Sequence, residues 1–194
     1  WAYPLTKHTS SARFLIEPRV QLVASPANRN PSSILNEDSQ STEFDFASLY
    51  EYNKSTGYDA FEDGQRINAG VAASAVFDNG ITIEGSIGEQ FRLQSSDAFF
   101  TSTGLGEKRS DIVGSLNLKY KTIFGIENRF RIDDDSGSIQ RAESLAYLRY
   151  WRFAGSVTYV RLNEENTKAA LVRREELTGN MRVRLTNHWS AGFG

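Results

Sequence analysis

The stretch RINAGVAASAVFDNGITIEGSIGEQFRL, Arg66 to Leu93, decides the fold. Its odd positions read Ile67, Ala69, Val71, Ala73, Ala75 and Phe77, while Arg66, Asn68, Gly70, Ala72 and Ser74 fall between them. Side chains alternate across a strand, so this is a strand with one apolar and one polar face. Asp78-Asn79-Gly80 has the composition of a hairpin turn. Beyond it Ile81, Ile83, Gly85, Ile87, Phe91 and Leu93 alternate with Thr82, Glu84, Ser86, Gln90 and Arg92, and only Glu89 breaks the apolar set.

The same period extends in both directions. Upstream, Phe14, Ile16, Val20 and Leu22 oppose Arg13, Glu17, Arg19 and Gln21. Downstream, Ile112, Leu116, Leu118 and Tyr120 oppose Asp111, Ser115, Asn117 and Lys119, and Phe124, Ile126, Phe130 and Ile132 oppose Glu127, Arg129 and Arg131. Leu177, Met181, Val183 and Leu185 then oppose Arg174, Glu176, Arg182 and Arg184. The segments Ile139 to Tyr150 and Phe153 to Leu162 are strand-like but two-faced. About nine strands of roughly 10 to 14 residues result, longer than soluble strands and close to what a tilted membrane strand needs. One helix is expected, Phe44 to Tyr52, inside the long connection 26–64.

Connections alternate in kind. Short turns are expected at Asp78 to Gly80, Lys121-Thr122, Tyr150-Trp151 and Thr186 to His188, with longer polar connections between them. An up-and-down sheet gathers the short turns at one end and the long loops at the other. That asymmetry, with Phe77, Tyr120, Phe124, Tyr150, Trp151, Phe153 and Trp189 beside the short turns, is the pattern of an outer-membrane barrel with an aromatic girdle. Trp1 and Tyr3 are expected to close the same girdle. The fold class is therefore all-β, an antiparallel up-and-down transmembrane β-barrel. The chain reads as one segment of wall, residues 1–194, with 26–64 as a long extracellular loop. A soluble β-sandwich binding module is the competing architecture.

Composition agrees. Hydrophobic residues are 39% and charged residues 24%, and no apolar run reaches the roughly 18 residues of a membrane helix. Trp1 opens on WAYPLTKHTSS without a basic then apolar leader, so the chain reads as mature or excised. A net charge of −2 with both signs interspersed leaves no basic patch for nucleic acid. Cysteine is absent, and His8 and His188 are far apart, so neither a thiolate site nor an imidazole cluster is expected.

The run Asp133-Asp134-Asp135-Ser136-Gly137-Ser138 resembles a cation loop, but Gly137 arrives one position early for an EF-hand, and a hairpin turn fits better. His188 and Asp133 belong at opposite ends of the sheet, which excludes them as a catalytic pair. No nucleophile elbow or phosphate loop occurs. No enzyme, catalytic residue, metal site or cofactor is expected. On the arginine-rich polar face a guanidinium would suit an amphiphile bearing phosphates.

IEPRVQLVASP (Ile16 to Pro26), NEDSQS (Asn36 to Ser41) and STGYDAFEDGQRINAGV (Ser55 to Val71) occur in the order seen in the C-terminal barrel of the LptD family, lipopolysaccharide-assembly proteins of the outer membrane, which this chain resembles. GEKRSDIVGSL, YLRYWRFAGSVTYVRLN and RREELTGNMRVRL fit the succeeding strands. The resemblance implies location in the Gram-negative outer membrane among its lipids and lipopolysaccharide passing into the outer leaflet. It also implies an LptE-like lipoprotein in the lumen and supply from a periplasmic Lpt bridge through a domain outside this sequence. Lumen-facing candidates for lipopolysaccharide or LptE contact are Glu17, Arg19, Arg66, Arg92, Arg129, Arg131, Arg182 and Arg184. The family loop motif comprises Ser55, Gly57, Asp59, Glu62, Asp63 and Gly64, with Ala60 where the family commonly has a basic residue. The gate strands are expected to lie outside this stretch of wall. A porin-like channel is the alternative within the membrane class.

Overall fold

The computed structural model describes residues 1–26, 43–55, 61–94, 99, 103–166 and 170–194. Ten strands form one antiparallel sheet in which each pairs with its neighbours in sequence. They are β1 (Leu5–His8), β2 (Ala12–Ala24), β3 (Gln65–Phe77), β4 (Ile81–Arg92), β5 (Ile112–Tyr120), β6 (Phe124–Ile132), β7 (Ile139–Tyr150), β8 (Phe153–Asn166), β9 (Ala170–Arg184) and β10 (Ser190–Phe193). β1 bonds to β2 and β10 to β9, and these two edges do not meet, so the sheet stays open among the described residues. The ten include the eight segments read above, with β1 and β10, four residues each, at the two edges.

Register sets the faces. Ile16 opposes Ala73, Leu22 opposes Ile67, Val71 opposes Ile87 and Ile83 opposes Leu118, which gathers the apolar alternation of β2 to β5 on one side. That side is the exposed one: Leu22 is 74%, Leu116 55% and Ile16 50% exposed. On the other side Arg66, Asn68, Gln90 and Arg92 are 5% exposed or less. A protein surrounded by water arranges these residue types the opposite way, because apolar area left in water is costly. No second layer covers the apolar side among the described residues, which rules out the sandwich. The sheet is a wall with its apolar face outward and its polar face inward.

Short connections at 9–11, 78–80, 121–123, 151–152 and 185–189 lie at one end, and the longer ones at 25–64, 93–111 and 133–138 lie at the other, where β8 and β9 run so far that only 167–169 join them. Gly80 closes its turn at φ +92, a conformation open to glycine. The two-faced look of β7 and β8 has a simple origin. Leu145 pairs with Glu127 and Thr158, on the inner face, while Ala146 and Leu148 face outward, so apolar residues stand on both sides.

Two expectations are corrected. The helix over Phe44 to Tyr52 is a single 3-10 turn, Ser48–Tyr50, because the segment is held by side-chain packing on the sheet rather than by its own ladder. Trp1 and Tyr3 stack on each other at 5.8 Å, but Trp1 exchanges backbone hydrogen bonds with Val20 and the Tyr3 amide donates to Pro18. Both thus stand well up the wall, several residues above the 9–11 turn, and outside the short-turn girdle.

Candidate functional site

Residues 43–55 and 61–64 do not extend away from the sheet; they fold back against its inner face. The first attachment is apolar. Phe44 and Leu49 are buried with Phe99, Leu105 and Val113, and Phe46 and Tyr50 pack against them. Gly70 and Gly88, paired across β3 and β4, form the socket. A Cβ on Gly70 would lie 2.6 Å from the Tyr50 hydroxyl, and one on Gly88 would lie 2.5 Å from Leu49 Cδ2. These inner-face glycines mark the close approach of another segment. Asp45 and Ser48 cap the 3-10 turn reciprocally: the Ser48 amide donates to Asp45 Oδ1 at 2.8 Å and the Asp45 amide to Ser48 Oγ at 2.9 Å. Gln21 Nε2 then donates to the Tyr50 carbonyl at 2.9 Å, and Asn68 Nδ2 to Gln21 Oε1 at 2.8 Å.

The second attachment is ionic and centres on Glu62, which is fully buried. Its Oε1 receives Arg66 Nε at 3.2 Å and pairs with Arg92 Nη2, so neighbouring guanidiniums of β3 and β4 share one carboxylate oxygen. Its Oε2 accepts the Lys54 amide at 3.0 Å and faces Lys54 Nζ at 3.5 Å. Lys54 Nζ also donates to Gln90 Oε1 at 2.8 Å, and the Glu62 amide donates to Asn53 Oδ1 at 3.0 Å. Arg66 Nη2 donates to the Tyr52 carbonyl, and Arg92 Nη1 to the Asp63 carbonyl at 3.0 Å. Gly64, at φ +82, then swings the chain into β3. The acidic loop feeds so directly into a strand because its carboxylate is the anchor that closes the loop onto that strand.

Three cations converge on one carboxylate, and water is excluded. Burial, with Arg66 and Arg92 nearby, pushes the Lys54 ammonium down to about 8, against an opposing pull from Glu62. Between that value and the ordinary 10.5 the unfolded chain holds the proton and the folded chain does not. Stability therefore rises as pH climbs through this window and is flat below it with respect to this group. Thermal melts from pH 7 to 10 are expected to show that gain in the native chain and its disappearance in Lys54→Met; identical pH slopes in the two would refute the assignment.

The structure places the sequence-derived residues unevenly. Glu17 and Arg19 pair with each other on the inner face, where Arg19 also lies over the Tyr50 ring at 6.0 Å. Arg66 and Arg92 hold Glu62. Arg131 holds the other loop, through Asp111 at 3.3 Å and the Thr103 carbonyl at 2.6 Å. Arg129 reaches Asp45 at 3.7 Å and Glu143 at 3.4 Å. Arg182 and Arg184 stand on the inner face of β9, exposed and away from the loop. Ser55 is buried, whereas Gly57, Asp59 and Ala60 lie outside the described residues, as does Asn36 to Ser41. Asn68, on the polar face as expected, is fully buried beneath the loop.

Lys54, Glu43 and Arg141 escaped the sequence reading, and Gln90 entered it only as a polar-face residue; Arg141 binds Glu43 at 2.8 Å from almost a hundred positions away. The Asp133 run is a turn, as expected, with the Gly137 amide donating to the Asp133 carbonyl at 3.0 Å and Asp134 paired with Arg109 at 2.8 Å. Glu89, the break in β4, faces outward and takes Arg109 at 2.9 Å. Among the described residues no group of three histidine, cysteine or acidic side chains is placed to hold a metal ion, and no helix is long and apolar enough to cross a membrane.

Residues 1–189 match the family model described as LptD, LPS transport system D. None of the curated proteins matches the chain.

Proposed function

The chain belongs to the LptD family of outer-membrane transport and assembly proteins, and on that premise we propose that it forms wall of the barrel through which lipopolysaccharide enters the outer leaflet. Residues 1–194 act as one segment, with the long-loop end outside the cell and the short turns toward the periplasm. The protein performs no bond chemistry. The observation that carries this reading is the inverted wall itself, apolar outward and charged inward, with its long loop latched across the inner face.

The described parts of the loop touch inner-face residues from β2 to β7, and none of those contacts falls on β8 to β10, where Thr178, Arg182 and Arg184 are exposed. This open sector is the part of the lumen we assign to an LptE-like lipoprotein and to the phosphorylated end of lipopolysaccharide, which guanidiniums bind well. Arg19 and Arg129 extend the same service along the covered half, while Arg66, Arg92 and Arg131 serve the protein's own loops. Supply comes from a periplasmic Lpt bridge.

Photocrosslinking amino acids placed at Thr178 and Arg182, on the inner face, and at Leu177, on the outer, test the assignment in cells. Adducts with lipopolysaccharide or the lipoprotein are expected at the first two positions and not at Leu177. Adducts with neither partner at the inward positions would overturn it.

A further inference from the structure

We propose that the short-turn rim of the wall is a docking surface for anionic glycerophospholipid headgroups, an inference that rests on the membrane placement above. The chain as a whole carries a net charge of −2, yet its charges are sorted by end. The short turns contain Lys121 and Arg152, with Lys7, Arg13, Arg149 and Arg184 within two residues of a turn, against one carboxylate, Asp78. Lys119 is nearby but is paired with Glu84 at 3.6 Å and Glu127 at 3.3 Å. At the opposite end a single turn carries Asp133, Asp134 and Asp135.

Lys7 belongs to the outward side, and Lys121 and Arg152 stand beside aromatic rings, with Arg152 Nη1 also donating to the Leu185 carbonyl at 3.1 Å. Lys7 pairs in register with outward-facing Phe14. Lys121 Nζ lies 5.4 Å from the centroid of Tyr120, and Arg152 Cζ lies 4.9 Å from that of Trp151. No carboxylate among the described residues neutralises Lys121 or Arg152. Their rings belong to the aromatic girdle, which fixes the cations at headgroup depth. The stem of Lys121 is further held by the neighbouring turn: a Cβ on Gly80 would meet Lys121 Cγ at 2.6 Å, and the Lys121 amide donates to the Gly80 carbonyl at 2.8 Å.

The turn geometry adds a separate observation. Trp151, 82% exposed, is the first of two turn residues and sits at φ +53, where a hairpin this short ordinarily uses glycine. Keeping a large ring in that conformation costs free energy in the sheet, and what it gains is a ring at the interface with a guanidinium laid across it. Cations standing over rings at one bilayer surface are complementary to lipid phosphate, and basic residues stand at or within two residues of every short turn but the one at Asp78 to Gly80.

The test uses the protein inserted into vesicles of phosphatidylcholine alone or with phosphatidylglycerol added, followed by mass spectrometry of the lipids retained after extraction. The variants are K121Q/R152Q and a control of equal charge on other surfaces, K108Q/R174Q, with far-UV circular dichroism to verify the sheet. Retained phosphatidylglycerol is expected to be enriched over phosphatidylcholine in the native protein and the control. Each cation at an anionic leaflet is worth roughly fivefold, so the rim variant, which removes two, is expected to lose about twenty-fivefold of that enrichment. Insertion into both vesicles with equal enrichment in native and rim variant overturns the inference and leaves the barrel reading standing; an acidic protein as the true partner of the rim gives this result. Failure to insert into either vesicle overturns the barrel reading and the inference with it.

Discussion

Glu62→Ala is expected to release residues 43–55 and 61–64 from the inner face and to destabilise the folded chain by about 3 to 5 kcal/mol, the range for removing one partner of a buried ion pair. The magnitude follows from what remains. Lys54, Arg66 and Arg92 would keep their buried positions with the carboxylate between them gone, and both their mutual repulsion and their lost hydration would act at once. Glu62→Gln retains an oxygen that can accept one donor but removes the charge, so it should fall between native and alanine. The apolar knot around Leu49 is too small to hold the loop against that repulsion. Hydrogen exchange at the amides of Leu49 and Lys54, now bonded to the Asp45 carbonyl and to Glu62, should accelerate to the rate of an open loop. The comparison is Glu17→Ala, which breaks a partly exposed pair with Arg19 and should cost at most about 1 kcal/mol. Equal melting temperatures for the Glu62 and Glu17 variants would show that the latch does not hold the loop.

The wall was readable in the sequence wherever the two faces differ in polarity. β3 and β4 alternate without ambiguity because Ile67, Val71 and Ile83 face outward while Arg66, Asn68 and Gln90 face inward. Alternation fails where the inner face is itself apolar, as at Leu145, or where the outer one is polar, as where Ser144 donates to Asn128 Oδ1 at 2.8 Å. The latch was half legible. Glu62 stood out as part of a loop motif, but Gly70 counted only as one position of the polar face and Gly88 drew no reading, although both face inward against a close neighbour. Its partners were not legible, because Lys54 and Gln90 are 36 positions apart and nothing local in either residue announces the other. A period-two pattern reports which face a side chain occupies; it carries no information about what lies over that face. The same limit explains Trp1 and Tyr3, whose residue types suit a girdle but whose height is fixed by pairing with Pro18 and Val20.

Val71→Arg is expected to cost about 2 to 4 kcal/mol in a bilayer, the penalty for a cation on the lipid face of a membrane strand at mid-depth. Val71 occupies the middle of β3, between Pro18 on β2 and Ile87 on β4, all facing outward. From there a guanidinium cannot reach either headgroup layer without bending along several residues of wall, at about 3.3 Å per residue. The matching inward substitution must be chosen where the lumen is open. Asn68 is unsuitable, since it is sealed under the loop and bonded to Gln21. Thr178, in the middle of β9 and exposed on the inner face, is the sound control, and Thr178→Arg should cost well under 1 kcal/mol because its charge stays in water. Folding free energies in phosphatidylcholine vesicles, by urea titration of tryptophan fluorescence, give both numbers. The difference must also depend on the solvent around the outer face, since the penalty belongs to hydrocarbon and not to the sheet: shorter acyl chains, which thin the core, should shrink the Val71 penalty and leave Thr178 unchanged. Equal costs for the two variants would mean that the exposed apolar side does not face lipid.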